Sequence, residues 1–482
     1  MPQVPVIVWF RDDLRLSDNP ALARAGASGA PVICLYIREE PGIGRRAMGA
    51  AADWWLAQSL RALASSLETL GQSLVLRSGK AADVLDAVIA ETGAGSVVWN
   101  RRYDAGGIAI DKAIKADLAA RGIMVESFGA HLLREPWEVK SAVGEPMKVF
   151  TPFWRAHQRL GDIRAPLRAP TALAVWGSHL ASESLQDWGL EPTGPNWAKG
   201  FTDHWTPGEA GAQARLEAFL AGGLDGYADG RDRPDRASTS RLSPHLRFGE
   251  ISPVQIWHRT RSVAGTEPGR DVAKFLAEVG WREFAYHLLY HFPDLPEANY
   301  QHRFDAFPWR ADATALKAWQ KGLTGYPIVD AGLRELWQTG WMHNRVRMIV
   351  ASFLVKHLLI DWRAGEAWFW DTLVDADVAN NPASWQWVAG SGADAAPYFR
   401  IFNPMLQGEK FDPKGDYVRR WVPELAGLPA KVIHTPWEAP PAVLLQAGIR
   451  LGETYPKPIV DHDAARTRAL AAFATIREPS AA

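Results

Sequence analysis

Ser73–Asn100, SLVLRSGKAADVLDAVIAETGAGSVVWN, carries a strand, a helix and a second strand in one short stretch. Ser73–Leu76 and Ser96–Asn100 are short apolar runs that suit strands, and between them Ala81–Glu91 repeats its apolar residues at helical spacing. That order reads as two parallel strands joined by a helical crossover. The same pattern extends both ways along the chain. Val4–Phe10, Pro31–Ile37 and Met124–Phe128 read as further strands, and Ala47–Leu70 and Gly107–Ala120 as further helices. Near-continuous apolar strands between helices predict a five-stranded parallel sheet with both faces covered, a Rossmann-like α/β domain over residues 1–130. No GxGxxG follows the first strand and there is no P-loop, so the usual nucleotide fingerprints are absent.

Residues 131–205, rich in Pro, Gly and Trp with weak periodicity, read as a connector. From 206 the pattern turns helical: Glu209–Ala221, Pro253–Val263, Asp271–His291, Thr314–Leu323, Ile328–Thr339, Trp341–Leu359 and Glu366–Leu373. An all-α domain over 206–482 is expected, closing in a short helix and a frayed end within 454–482. With 47% hydrophobic and 22% charged residues, the 482-residue chain suits a globular protein with large cores. Its apolar runs, such as Met348–Val355, fall far short of the ~20 residues a bilayer requires, and MPQVPVIVWFRDDLR has no basic start followed by a long apolar stretch, so a secretory signal is not expected. The single cysteine, Cys34, excludes an internal disulfide or a cysteine-based metal site and fits a reducing cytoplasm. A soluble, monomeric, metal-free cytoplasmic protein is the expectation.

Net charge is −1, but residues 334–363 carry five Lys/Arg against two Asp/Glu, so a nucleic-acid partner would meet the C-terminal half. The chain has 23 Trp against 10 Tyr, more than core packing alone calls for.

Four clusters could carry chemistry. Thr239-Ser240-Arg241-Leu242-Ser243-Pro244 sets hydroxyls and a guanidinium before a helix, with Ser243 as N-cap and Pro244 in the first turn; it reads as a phosphate seat or as an ordinary capped helix. Glu278 and Trp281 share a helix face at i, i+3, as do Asn344 and Met348 at i, i+4, flanked by Arg345 and Arg347. A carboxyl, an amide, a thioether and an indole suit a planar heteroaromatic ligand. Asp375, Asp377, Asn381, Trp385 and Trp387 cluster closely, although Asn381-Pro382 also reads as a helix start with Asn381 capping its own backbone. Arg400, within Pro397–Pro404 (PYFRIFNP), joins Lys410 and Lys414 in a basic, aromatic-interleaved loop of the kind that holds phosphates and stacks bases.

Together these segments resemble the photolyase/cryptochrome family over nearly the whole chain. The resemblance rests on Trp9–Asn19 (WFRDDLRLSDN), Thr239–Gly249 (TSRLSPHLRFG), Trp281–Phe284 (WREF), Gly325–Asp330 (GYPIVD), Gly340–Met348 (GWMHNRVRM) and Asn381–Pro404. It implies FAD held folded in the helical domain. Tyr227, Thr239, Ser240, Arg241, Leu242 and Ser243 match the stretches that hold its phosphates and ribityl chain. Arg347, paired with Asp375, and Asp377 match positions around the flavin ring, and Asn381 matches the position facing N5. The resemblance further implies that a pyrimidine dimer in ultraviolet-damaged DNA is flipped between Trp281 and Trp387. There Glu278 and Asn344 hydrogen-bond its bases, Met348 packs on it, and Arg231, Arg345 and Arg400 contact phosphates. Trp385, Trp362 and Trp309 match the family's electron-carrying tryptophans.

Within the family, Glu278, Asn344 and Met348 resemble the enzymes that act on cyclobutane dimers. Asn381 stands where plant-type cryptochromes show Asp, and Trp387 where single-strand-preferring relatives usually show Tyr. A blue-light receptor with signalling output is the alternative within the family, and a cofactor-free, Trp-rich DNA-binding module the alternative outside it. An antenna pigment is also implied near Asn100–Asp104, at the ligand-facing edge of the sheet, methenyltetrahydrofolate being favoured over a deazaflavin.

Overall fold

Strand β1, Val6–Phe10, is buried along its whole length, as an apolar strand with helices on both faces must be. A computed structural model describes residues 4–41, 46–264 and 269–476. The remaining strands are β2 (Val32–Glu39), β3 (Leu74–Gly79), β4 (Ser96–Asn100) and β5 (Met124–Phe128). All pair in parallel in the order β3-β2-β1-β4-β5, the predicted five-stranded doubly wound sheet. Helices of at least eight residues are α1 (Pro20–Ala27), α2 (Ala50–Glu68), α3 (Ala81–Thr92), α4 (Ala105–Ala120), α5 (Phe150–Arg159), α6 (Glu209–Gly222), α7 (Pro253–Ala264) and α8 (Arg270–His291). They continue with α9 (Ala313–Gln320), α10 (Pro327–Thr339), α11 (Asn344–Ser352), α12 (Trp362–Thr372), α13 (Asn380–Ala389), α14 (Pro404–Phe411) and α15 (His462–Ala474).

The chain divides into two compact units. One comprises residues 1–225, 240–293 and 374–377 and holds the sheet with α1–α8; the other, 226–239, 294–373 and 378–482, is helical and holds α9–α15. Alternation along the strands builds the first core. Ile7, Trp9, Ile33, Leu35, Val75, Val97 and Trp99 point to one face and meet Leu85 and Val88 of α3 and Ile114 and Leu118 of α4.

Several elements differ from their sequence reading. Helix α1 was not foreseen, although Asn19 caps it through Leu22 N and Pro20 opens it. The expected connector contains α5. The expected helix Trp341–Leu359 is instead α11 followed by a π turn, Phe353–His357. Trp362, expected ahead of a helix beginning at Glu366, is itself the first residue of α12, capped by Asp361 through Arg363 N. Part of the end read as frayed, 477–482, lies outside the described residues.

Ion pairs fill the carboxyl end of the sheet. Asp111 of α4 accepts from Arg11 Nη1 at 2.7 Å, Arg102 Nη2 at 3.0 Å and Trp99 Nε1 at 3.0 Å, while Glu39 holds the other Arg102 nitrogen. Asn100 donates to Asn19 Oδ1 at 2.8 Å, Tyr103 to Glu135 at 2.9 Å, and Asp104 caps α4 at Gly107 N. The segment expected to face a pigment thus has its polar groups engaged within the protein.

Candidate functional site

The sheet-bearing unit holds one part of the predicted set. Glu278 and Trp281 share a face of α8, as their spacing requires. Gly280 lets that helix approach α5, since a Cβ there would lie 2.6 Å from the Trp154 ring. Trp281 stacks on Phe150 with ring centroids 3.8 Å apart and planes at 9°. That contact covers one indole face, and sequence reasoning missed it because Phe150 sat in the presumed connector. Glu278 pairs with Lys274 at 3.1 Å across one helical turn; i, i+4 helix pairs of this kind are worth only about 0.3–0.5 kcal/mol, so this one is a weak hold on a half-buried carboxylate.

In the same unit Arg241 adopts φ 52°, a left-handed backbone that a non-glycine residue enters only against strain, and it turns the Ser240–Ser243 hydroxyls through a sharp bend. A short helix follows with Leu242, not Ser243, at its N-cap, which leaves Ser243 and Pro244 as its first two residues. Leu242 is buried and Ser243 exposed. Asp375 and Asp377 are 8% and 5% exposed, and their strip is anchored where Arg247 Nε donates to Ala376 O at 3.0 Å while Nη1 reaches Asp12 at 2.7 Å.

The helical unit holds the rest. Asn344 opens α11 and is exposed, with Met348 one turn later on the same face. Glu335 fixes this start by accepting from His343 N at 3.2 Å and from Tyr417 Oη at 2.6 Å. Arg345 pairs with Asp232 at 2.8 Å and lies 4.5 Å over the Phe411 ring; Arg347 donates from Nε to Met342 O at 2.7 Å. Tyr227 is buried, whereas Arg231 and Thr239 are half-buried.

Asn381 is not a cap. Helix α13 is capped at Ala379, and Asn381, inside the first turn, directs Nδ2 to Glu366 of α12, at 2.7 Å to Oε1 and 3.1 Å to the backbone oxygen. Glu366 thereby sets which way the amide faces. No spacing rule links the two residues, so sequence could not pair them.

The three tryptophans gather along the start of α12. Trp362 is its fully buried first residue. One turn on, Gly365 makes room for Trp385, whose Cη2 would lie 2.1 Å from an added Cβ. Arg310 N donates to Leu359 O at 2.7 Å, which places half-buried Trp309 beside the segment leading into Trp362. Gly365→Ala is expected to destabilise by about 1–3 kcal/mol, since overpacking outweighs the ~1 kcal/mol that Ala gains in a helix. Urea melts measure it, and an unchanged midpoint would count against the contact. Trp387 is half-buried near the end of α13, where Gln386 Nε2 ties the helix to Leu295 O at 2.8 Å and Ala298 O at 2.9 Å.

Arg400 is exposed, and its loop is fastened from behind. Lys356, in the π turn, donates from Nζ to Arg400 O at 2.9 Å and lies 5.3 Å over the Tyr398 ring. Burial, with help from Arg400, pushes the Lys356 ammonium down to about 7. Between that value and the unfolded value of about 10.4 the unfolded chain binds the extra proton, so this group costs stability fully below pH ~7 and less as pH rises. Lys356→Met should therefore stabilise by about 1–3 kcal/mol at pH 6, with the gain shrinking toward pH 10. Denaturation at both pH values measures it, and a pH-independent gain would refute the titration.

Among the described residues there is no cluster of three or more potential metal ligands, and no helix is long and apolar enough to cross a membrane. Residues 6–171 match the family model described as DNA photolyase, and residues 275–475 the one described as the FAD binding domain of DNA photolyase. The chain is 58% identical over 477 residues to the deoxyribodipyrimidine photo-lyase of Agrobacterium fabrum, covering 98% of each. It is 42% identical to cryptochrome-1 of Arabidopsis thaliana, over 96% of this chain and 69% of that one. The crystal structure of a bacterial class III photolyase from Agrobacterium tumefaciens superposes with a TM-score of 0.96 at 57% identity, covering 99% of this chain and 98% of the other. With the parallel sheet, the helical unit and matches running almost end to end, the chain belongs to the DNA photolyase family.

Proposed function

We propose that this protein is a light-driven DNA repair enzyme that splits cyclobutane pyrimidine dimers, acting in the cytoplasm on ultraviolet-damaged DNA. The observation that carries the reading is the fixed amide of Asn381. With Nδ2 held by Glu366, the oxygen is the atom turned to a ligand, and an acceptor there suits the N5–H of a reduced flavin. The other donors also fit FAD: hydroxyls and a guanidinium at Thr239–Ser243 suit a diphosphate, with Tyr227 beside them in the match, while a guanidinium at Arg347 and carboxylates at Asp375 and Asp377 are the group types that suit the polar edges of the ring. FAD, when bound, supplies on blue-light excitation the electron that opens the cyclobutane ring and receives it back.

The protein's own side chains do the rest. Trp281, backed by Phe150, has its other face for stacking on an extruded dimer, and the resemblance gives Trp387 a stacking role as well. Glu278 and Asn344 hydrogen-bond the dimer bases, Glu278 at a carbonyl oxygen where negative charge develops, and Met348 packs against them. Arg231, Arg345 and Arg400 take backbone phosphates, and Trp385, Trp362 and Trp309 carry electrons inward. The resemblance further supports an antenna pigment bound by the 1–130 domain, methenyltetrahydrofolate in preference to a deazaflavin.

Purified protein should be yellow, release flavin on denaturation and remove dimers from irradiated DNA only in the light. A colourless preparation overturns the reading, and flavin photoreduction without dimer loss favours a cryptochrome-like receptor. A near-ultraviolet shoulder that leaves with a released folate supports the antenna. Arg345→Ala should weaken DNA binding and reduce the salt slope by about one; an unaltered slope would mean that Arg345 serves only Asp232.

A further inference from the structure

The indole nitrogens of the inner two tryptophans stand in opposite situations. Trp385 Nε1 is buried and has no hydrogen-bond partner among the described residues. Trp362, equally buried, donates from Nε1 to Asn299 Oδ1 at 2.9 Å. Asn299 is itself 2% exposed, and its Nδ2 donates to Asp305 Oδ1 at 2.8 Å. Asp305 stands at the surface, and the bond from Asn299 is the main reason its carboxyl lies below the usual range. Indole, amide and carboxylate thus form one line from the interior to solvent.

We propose that Asn299, polarised by Asp305, is a positioning and tuning residue that makes Trp362 a better seat for an electron vacancy than Trp385, so that the vacancy moves outward. This rests on the reading of Trp385, Trp362 and Trp309 as an electron route. An indole that has lost an electron is a cation with a strongly acidic N–H. A hydrogen bond to an amide oxygen stabilises that cation, and a carboxylate on the far side of the amide strengthens the bond. The amide oxygen is too weakly basic to take the proton, so oxidised Trp362 keeps it and can pass the vacancy on. The oxidised Trp385 ring, with no acceptor for its N–H, gains no such stabilisation.

The electrons balance. One leaves Trp385 for light-excited oxidised flavin, Trp362 refills Trp385, Trp309 refills Trp362, and oxidised Trp309 releases its indole proton to water. A thiol in solution then returns an electron, and water a proton, to Trp309. A hydrogen bond to a charged group is strong enough to shift the Trp385/Trp362 balance by about tenfold or more.

Two variants of the flavin-loaded protein test this by transient absorption after a laser flash, with circular dichroism and flavin content as folding controls. Asn299→Leu removes the acceptor and should cut the yield of the long-lived Trp309 radical about tenfold or more. Asn299→Asp places a base on the N–H and should trap a neutral radical at Trp362, with a spectrum distinct from the cation. Trp362→Phe is the control for the route. In 15N-Trp-labelled protein it also identifies the Trp362 N–H resonance, which should move upfield in Asn299→Leu even without flavin. If Trp362→Phe blocks photoreduction while both Asn299 variants match wild type, the inference is overturned and the route stands. If Trp362→Phe leaves photoreduction intact, the route itself fails.

Discussion

Asp111→Ala is expected to remove about 3–5 kcal/mol of stability, the scale for stripping one partner from a buried ion pair. The carboxylate bridges two guanidiniums, and Arg11, Arg102 and Asp111 are 6%, 7% and 8% exposed. Burial alone would push Asp111 up, but Arg11 and Arg102 outweigh it and hold the carboxyl below its usual range. Burial already lowers Arg11, and Arg102 lowers it further, so the Arg11 guanidinium would lose the one carboxylate that pairs with it among the described residues. Against a typical total of about 5–15 kcal/mol, that loss decides whether the unit folds well. Because the folded value of Asp111 is depressed, its contribution is present above the unfolded pKa of about 3.9 and is lost as pH falls through the folded value. The gap between variant and wild type should thus narrow on acidification below pH ~4. Urea midpoints at pH 7 and pH 3 measure both effects, and a loss under 1 kcal/mol at neutral pH would refute the bridge.

The second large effect is at Asn381→Asp. Nδ2 lies 2.7 Å from Glu366 Oε1, so the substitution sets two carboxylates face to face in a buried place. Such a pair cannot both ionise cheaply, and one pKa should rise by roughly three units, or about 4 kcal/mol. Here the folded state binds a proton more tightly than the unfolded chain. Stability should therefore fall as pH rises from about 4 and level off once the raised pKa is passed. Near pH 5 a shared proton restores the bond and the variant should approach wild type. A pH-independent deficit would mean that Asn381 and Glu366 do not touch. The proposed flavin role adds a second readout: reduced FAD in the variant should reoxidise in air about tenfold faster or more, because the oxygen at this position becomes charged.

How far the sequence could be read depended on the range of each signal. Strands β4 and β5 match their expected bounds because runs such as SVVWN leave no helical alternative of that length. The same rule failed at Trp341–Leu359, where an unbroken apolar stretch cannot reveal one extra residue per turn in Phe353–His357. Helix α1 carried a readable start, Asn19-Pro20, but its weakly apolar alanines masked the period. In the site, the i, i+3 pair Glu278/Trp281 and the i, i+4 pair Asn344/Met348 were legible because one helix sets each face. The bond from Trp362 to Asn299 spans 63 residues and that from Asn381 to Glu366 spans 15, across different elements, so only the folded chain brings them together. Lys274 and Asp232, which pair with Glu278 and Arg345, were visible as charges but not as partners.

Gly365 has a consequence that reaches past packing. A hydrogen atom where every other residue carries carbon lets the Trp385 indole rest against the α12 backbone, one turn from Trp362. Tunnelling between rings weakens steeply with each added ångström. On the proposed electron route the gap between the Trp385 and Trp362 rings is therefore set by the smallest side chain beside them, and a single added methyl group would slow the transfer by widening it.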